Sequence, residues 1–567
     1  MKIGVALYGA ARVVIGQPRV EVSFDTPTIA LGQVVEQLIA AYPRARPYLL
    51  DESGMLPSHI RILINEVRPD PDATLATVLH EGDRLALLVA VAGGRSHLSF
   101  SRLTEHYMVN CKHTRHEGVS TMERRYWNED LETMQPAALH QLENDYLRTQ
   151  LDYVWAYSAF YQAKFAEAGV KREAIRDVAD LPLLPFTEKD ECRHSQEEYP
   201  PFGSYLATTQ EQVIRAHKTS GTTGRALYVT LTRRDRNLMN ECAARSFWAT
   251  GLRPSDTVVH CLNYRLWVGG FSDHENLETT GATVVPFGVG QTDLLIQTIR
   301  ELGVNAISAT PSYMLPLAEA ALAQGLNPRD LGLRKGFFGA EPGISEPGVR
   351  ARMEETWGMR AMDANFGMAD VLSIMGSECD HRQGLHFHAQ GTVAVELIEP
   401  DSGTPLALTE GTEGELVYTH LLKEAQPLVR YRARDVVRIL GIEPCACGRT
   451  SFRFRVLGRS DDMLHVRGVN VFPTAVGNVL ARLSDQLSGE FQILVDHPPP
   501  HQYLRVRVEL AQHLAPERVG DVAQQIKQAL REQLSFRAEP ELVPYGTLPR
   551  TEQKAHRVIK TYQRAGR

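Results

Sequence analysis

The chain has 567 residues, 43% of them hydrophobic and 23% charged, with a formal net charge of −7. At roughly 150 residues per domain this length asks for three or four units, and the composition is that of an ordinary soluble globular protein. The acidic balance argues against a nucleic-acid surface, and no apolar run reaches the ~20 residues that span a bilayer.

The N-terminal stretch MKIGVALYGAARVVIG is interrupted by Arg12 and is followed by no small-residue cleavage site. It reads as a first strand rather than an export signal, so a cytoplasmic protein is expected. Val5 to Ile15 is β-branched and apolar around Gly9. After Thr26-Pro27, Leu31, Val34, Val35, Leu38 and Ile39 recur with helical spacing, and Pro43 stops the helix. IRILINEV and RLALLVAVAGG read as further strands, the second running out into Gly93-Gly94. The order strand–strand–helix–strands is that of a β-grasp domain.

This unit, with its EGDRLALLVAVAGG ending, resembles the ubiquitin-like sulfur carriers: the small subunit of molybdopterin synthase and its thiamine-pathway relative. In that family the Gly-Gly tail is a free C-terminus whose carboxylate is adenylated and converted to a thiocarboxylate. Here Gly94 is bonded to Arg95. Two readings follow. One is a retained module for docking or assembly. The other is a carrier released by cleavage, with a protease and a sulfur-transfer protein as partners.

Residues 95–124 carry Ser, His and Arg without a clear period and read as a linker with at most one short helix. DYLRTQLDYVWAYSAFYQAKFAEAGV then reads as one long helix, and helical and strand patterns alternate to about residue 457, which argues an α/β fold. A smaller α+β segment follows, with a strand LRVRVEL and a helix VAQQIKQALREQL. The seven cysteines are odd in number and scattered, so they form no disulfide framework; only Cys445 and Cys447 are closely spaced.

The sharpest motif is HKTSGTTGRALYVTLT. Ser220, Thr222 and Thr223 supply hydroxyls, while Gly221 and Gly224 let backbone N–H groups approach an anion unobstructed. Gly-Lys followed by Ser or Thr is absent, which excludes a Walker loop. No G-x-S-x-G elbow supports a serine hydrolase.

That stretch resembles the phosphate loop of the adenylate-forming superfamily. From Tyr126 onward the closest resemblance is to the phenylacetate–coenzyme A ligase family, carried in order by YWNEDLETM, LPLLPFTEKDE, NYRLWVGG, TPSYML, FFGAEPG, DANFGMADV, GTEGELVYTHL, PLVRYRARD, CACGRT, GRSDDMLHVRGVNVFP and LPRTEQKAHRVI. The implied organisation is a β-grasp domain at 1–94, a linker at 95–124, a large adenylate-forming domain at 125–457 and a mobile C-terminal domain at 458–567.

The resemblance implies two steps. A carboxylate attacks the α-phosphorus of ATP, giving acyl-adenylate and pyrophosphate, and a thiol, coenzyme A by family, then displaces AMP. It assigns Ser220, Gly221, Thr222, Thr223 and Gly224 to the phosphates. Gly339, Ala340, Glu341 and Pro342 pack on adenine and substrate, and Asn365, Phe366 and Gly367 belong to the nucleotide set, with Phe366 keeping a ring for stacking. Asp370 holds Mg²⁺, a hard cation that takes oxygen ligands; it stands where glutamate is usual, as Phe366 stands for tyrosine. Asp435 accepts the ribose diol, with Arg459 in the same nucleotide set. Asp461 and Asp462 form the hinge, and Lys554 neutralises charge developing during adenylation. Gln553 replaces the usual glycine beside it, and Arg225 replaces the usual lysine after the phosphate loop.

Tyr264 and Trp267 can stack on an aryl acid. Arg265 either pairs with a second anionic group of the substrate or faces solvent. Cys379, His386, His388, Cys445 and Cys447 form a candidate zinc set, since Cys-x-Cys presents two thiolates from one turn; Cys379 and His386 would complete four ligands and a closed, structural site. Unliganded thiols and a core histidine are the alternative. A non-catalytic scaffold on the same fold is the alternative from another class, and the retained loop, Asp435 and Lys554 argue against it.

Overall fold

The structure is a computed structural model that describes residues 1–9, 19–43, 46, 60–65, 77–81, 83–89, 124–219, 226–341, 343–467, 469–483, 485–498, 501–512, 514, 519–549 and 557–563. The phosphate-loop residues 220–225, Pro342, residues 550–556 with Lys554, and residues 90–123 with Gly93, Gly94 and the linker lie outside them. Two compact units divide at Lys112/His113.

In the first unit the strand Lys2–Gly9 pairs in parallel with Arg84–Val89 and is flanked by Arg19–Ser23; Ile60–Ile64 pairs antiparallel with Arg84–Val89 on the other side. The helix Leu31–Ala41 ends two residues before Pro43 and buries Leu31, Val34, Val35 and Leu38, the apolar stripe of the sequence. They pack on Ile3, Val5, Leu79 and Leu85, and full burial of each aliphatic side chain stabilises by roughly 1.5–3 kcal/mol. This is the β-grasp arrangement.

The second unit is built on a twelve-stranded sheet. Five parallel strands lie in the order Thr283–Pro286, Thr257–His260, Ala306–Ala309, Lys335–Gly339 and Arg360–Met368. Seven more continue it: Leu372–Ser377, Leu385–Phe387, Arg453–Arg459, Tyr431–Gly441, Glu413–His420, Val393–Ile398 and Pro405–Leu406, all paired antiparallel. Alternate residues of the parallel strands face opposite cores. Val259, Ile307 and Phe338 join the core under the helices Thr292–Glu301, Met314–Ala323 and Pro347–Trp357. Val258, Ala306 and Phe337 join the core under Arg233–Ala249 and Val268–Thr279. Burial on both faces explains why these strands read as near-continuous apolar runs.

The expected single helix of residues 145–170 is instead two, Pro136–Tyr157 and Ala159–Glu167. Ser158 between them is extended and fully buried, and the N–H of Phe160 donates to Ser204 O at 3.2 Å, outside the helix. The break turns Tyr161 and Phe165 into the core, with Phe165 stacked on Trp155 at 4.2 Å.

The C-terminal segment forms a sheet in the order Ala538–Val543, Leu504–Leu510, Leu487–Val495, Val558–Lys560. The helices Pro473–Ala481 and Val519–Leu534 cover it through Val476, Val479, Val522, Ile526 and Leu530. Among the described residues, no helix is long and apolar enough to cross a membrane.

Candidate active site and a cysteine–histidine cluster

The strands Arg215–Lys218 and Tyr228–Leu231 pair antiparallel, Lys218 opposite Tyr228, so residues 219–227 connect a hairpin. Thr219 N donates to Leu227 O at 2.9 Å, and Leu227 N to Thr219 Oγ1 at 3.0 Å. The segment that carries Tyr264 and Trp267 meets this base, where Lys218 N donates to Leu266 O at 2.8 Å. His217 is buried against Ser272 Oγ at 2.7 Å, and burial, with Arg215 nearby, pushes its pKa down to about 4.

Tyr264 sits among the rings of His260 and His274, and its hydroxyl lies 3.0 Å from His274 Nδ1. Trp267 is half-buried at the start of the helix Val268–Thr279. Arg265 is exposed.

Two parallel neighbours bring the next segments together. Gly339 pairs with Asn365, across a register shift that follows Phe338. A Cβ on Gly339 would lie 2.4 Å from Asn365 Cβ and 2.5 Å from its carbonyl oxygen, so only glycine fits. Gly367 is as tight, with Ser373 O 2.0 Å from where a Cβ would be. Ala340 then adopts φ 65°, a left-handed conformation that costs a non-glycine residue about 1 kcal/mol or more and clusters at functional loops. Glu341 accepts from Ser312 N at 2.6 Å, and burial raises its pKa. Phe366 is half-buried and packs edge-on against Phe454 at 5.1 Å. Asn365 Nδ2 donates to Asp273 Oδ2 at 2.7 Å. Asp273 is 1% exposed, and burial pushes its carboxyl up to about 7.

Asp370 is 9% exposed at the turn between Arg360–Met368 and Leu372–Ser377. Its Oδ2 accepts from Lys189 Nζ at 2.8 Å and from the Tyr431 hydroxyl at 3.0 Å. Among the described residues its Oδ1 is buried without a partner. An ionised oxygen stripped of water and left unpaired is a costly arrangement, and it fits a position for a hard cation. Lys189 and Tyr431 lie inside the motifs LPLLPFTEKDE and PLVRYRARD, but sequence reasoning gave neither a role.

Asp435 pairs in register with Arg459 on adjacent strands, and Arg459 Nη1 lies 3.6 Å from Asp435 Oδ1. Arg459 also makes a two-pronged contact with Asp461 at 2.9 and 2.8 Å. Arg434, just before Asp435, has φ 69° and donates to Glu188 at 2.7 Å. Asp461 and Asp462 form a turn directly after the strand Arg453–Arg459, with Asp462 N donating to Arg459 O at 3.2 Å.

The cysteine set converges. Cys379, His386, Cys445 and Cys447 are all buried, and one ligand atom of each lies within 4.8 Å of the others. Cys379 and Cys445 sulfurs are 3.9 Å apart, and Cys447 Sγ is 3.6 Å from His386 Nε2. A tetrahedral zinc with bonds of ~2.3 Å to sulfur and ~2.0 Å to nitrogen has S···S and S···N edges of about 3.8 and 3.5 Å. The donor set and spacing therefore fit that metal. His386 Nδ1 faces Ser451 Oγ at 3.2 Å, a contact able to orient the ring. His388 is not part of the cluster; its Nε2 lies 3.0 Å from Ser377 Oγ.

Residues 162–420 match the AMP-binding enzyme family, 468–561 its C-terminal domain, and 5–94 the ThiS family. The chain is 34% identical over 441 residues to a phenylacetate–coenzyme A ligase of Thermus thermophilus, covering 75% of this chain and 96% of that one. The chain belongs to the phenylacetate–coenzyme A ligase family. It is an AMP-forming acid–thiol ligase. A Pseudomonas putida phenylacetate–coenzyme A ligase is 35% identical, over 75% of this chain and 94% of its own. Among solved structures, 2-hydroxyisobutyryl-CoA ligase in the postadenylation state with its acyl-AMP is 29% identical, covers 79% of this chain and 95% of its own, and gives a TM-score of 0.72. In its thioesterification state the same ligase gives 0.57.

Proposed function

We propose that this ligase activates an aryl carboxylic acid with ATP and transfers the acyl group to coenzyme A. The supporting observation is Asp370: a buried carboxylate, one oxygen held by Lys189 and Tyr431, the other without a partner among the described residues. Asp370 would hold Mg²⁺, which neutralises charge on the phosphates when bound. Residues 220–224 would cradle those phosphates, Asp435 and Arg459 the ribose, and Gly339, Ala340, Glu341, Pro342, Asn365, Phe366 and Gly367 the adenine and acyl ends. Lys554 would offset charge as the substrate carboxylate attacks the α-phosphorus, and the turn at Asp461–Asp462 would let the C-terminal domain reorient before the thiol attacks. Catalysis is then mainly positioning and electrostatics.

An aryl acid is favoured by the rings around Tyr264 and by the two phenylacetate-activating relatives. Cys379, His386, Cys445 and Cys447 would hold a structural zinc, four protein ligands leaving no position for substrate. The test is ATP–pyrophosphate exchange across phenylacetate, benzoate and 2-hydroxyisobutyrate, followed by acid-dependent AMP release with and without coenzyme A. Exchange with no acid would sink the ligase reading for this chain, and preference for the aliphatic acid would sink the aryl assignment.

A second reading concerns the acceptor. The ThiS match ends on Gly94, so cleavage at Gly94–Arg95 would create a carrier tail able to deliver sulfur to the adenylate. Intact mass of protein from its native cell decides it: a chain that stays whole, with no sulfur gained at Gly94, removes the idea.

A further inference from the structure

Lys423 is 5% exposed. Its backbone is fixed: Gln150 Nε2 donates to Lys423 O at 2.7 Å, and the Tyr153 hydroxyl to Glu424 O at 3.1 Å. Glu424 N and Ala425 N both donate to Asp235, at 2.7 and 2.9 Å, and Thr232 Oγ1 donates to Glu424 Oε2 at 2.7 Å. Thr230 N donates to Gln426 Oε1 at 2.8 Å. The segment that carries Lys423 is therefore bolted to the strand leaving the phosphate-loop hairpin and to the helix after it. On its other side, His420 Nε2 lies 3.1 Å from Val371 O, next to Asp370. Lys423 thus lies in the chain between His420, which reaches the turn beside Asp370, and Glu424–Gln426, which are tied to the strand and helix that follow the phosphate-loop segment.

Among the described residues its ammonium has no ion pair and no hydrogen bond. Asp235, the acid that acts on it, is committed to the backbone N–H groups of Thr232, Glu424 and Ala425. Burial lowers the pKa of Lys423, and burial, with a smaller push from Lys423, holds His217 and His420 down to about 4 and about 3. The neighbouring rings are therefore neutral, and the nearby guanidinium groups are already paired, Arg215 with Glu275 at 2.7 Å and Arg234 with Glu424 at 3.4 Å, which leaves Lys423 as the cation of this corner without an ion pair among the described residues. A buried, uncompensated charge is expensive to keep, and a rigid segment that keeps one implies an anion that arrives.

We propose that Lys423 is a positioning cation of the polyphosphate site, pairing with the β- and γ-phosphates of ATP and with product pyrophosphate. The assignment rests on the ligase reading. It separates Lys423 from the ribose and adenine residues, because AMP lacks the groups that Lys423 would meet.

The experiment compares wild type with K423M, K423Q and K423R by ligand-induced thermal shift, with inorganic pyrophosphate plus Mg²⁺ and with AMP as separate probes. KM for ATP is read by pyrophosphate exchange. Expected is a loss of about tenfold or more in pyrophosphate affinity for K423M, AMP affinity held within about threefold, and partial recovery in K423R. Unchanged pyrophosphate binding overturns the assignment. So does equal weakening of both probes, which is the mark of a structural role. If K423M does not fold, K423Q carries the comparison, and if neither neutral variant folds the ammonium is structural and the assignment falls. Failure of the wild type to bind ATP or pyrophosphate would instead refute the ligase reading itself.

Discussion

Replacing Asp370 with Asn keeps the shape of the side chain and removes its charge. On the structural side, Lys189 loses a carboxylate at 2.8 Å, but its own side chain is 32% exposed and water screens it. The Tyr431 hydroxyl keeps an acceptor in the Asn carbonyl. The stability cost is therefore about 1 kcal/mol. On the chemical side, the proposed reaction loses a negatively charged ligand to the phosphate-bound cation. Removing one such electrostatic stabiliser costs about 3–4 kcal/mol of transition-state energy, or roughly 10²–10³-fold in rate. ATP–pyrophosphate exchange over a Mg²⁺ titration measures both. The Mg²⁺ half-saturation should rise about tenfold or more, and excess Mg²⁺ should recover part of the rate. Urea unfolding beforehand confirms that the protein is intact. A variant that saturates at the wild-type Mg²⁺ concentration, with a rate within about threefold of wild type, would refute the role given to the unpartnered Oδ1.

Three further outcomes are expected. Zinc in purified protein should be close to one atom per chain and should fall to background in Cys445→Ser, with a thermal midpoint lower by about 5–10 °C; wild-type protein prepared with zinc yet holding none would exclude the site. Gly339→Ala drives a Cβ to 2.4 Å from Asn365 Cβ, and overpacking against backbone should destabilise by about 1–3 kcal/mol in urea unfolding; unchanged stability would show that the two strands are not this close. Asp273 is pushed up to about 7 from the usual carboxylate range, so the folded protein holds a proton that the unfolded chain has released. Its contribution is complete below the unfolded pKa and is lost as pH rises towards 7 and through it. In Asp273→Asn that dependence disappears, so the slope of stability between pH 5 and 7 should lose up to about 1.4 kcal/mol per pH unit relative to wild type. Parallel slopes would mean that Asp273 is ionised in the folded protein.

What was legible in the sequence is what depends on local period or on a motif that carries its own chemistry. The stripe Leu31, Val34, Val35, Leu38 located its helix because helical spacing alone puts those residues on one face. Cys445 and Cys447 announced a cluster because two thiols one residue apart reach the same point. The partners were not legible. Lys189 meets Asp370 across 181 residues, and Tyr431 meets it across 61; nothing in either local sequence says which strand will lie alongside. His388 illustrates the converse, since it shares a motif with His386 yet turns to Ser377: residues two apart share a face only along a continuous strand, and this strand ends at Phe387. Ser158 is similar: the helical pattern runs straight through it, and only Ser204, 44 residues on in the chain numbering, takes the N–H of Phe160 that a continuous helix would have kept. Lys423 carries the same logic to function. In the sequence it is an ordinary lysine before a glutamate, and only the elements folded over it turn a solvated charge into one that requires an anion. A side chain whose chemistry is set by what buries it cannot be read from its neighbours in the chain, and for this enzyme that is where the next binding residue is to be sought.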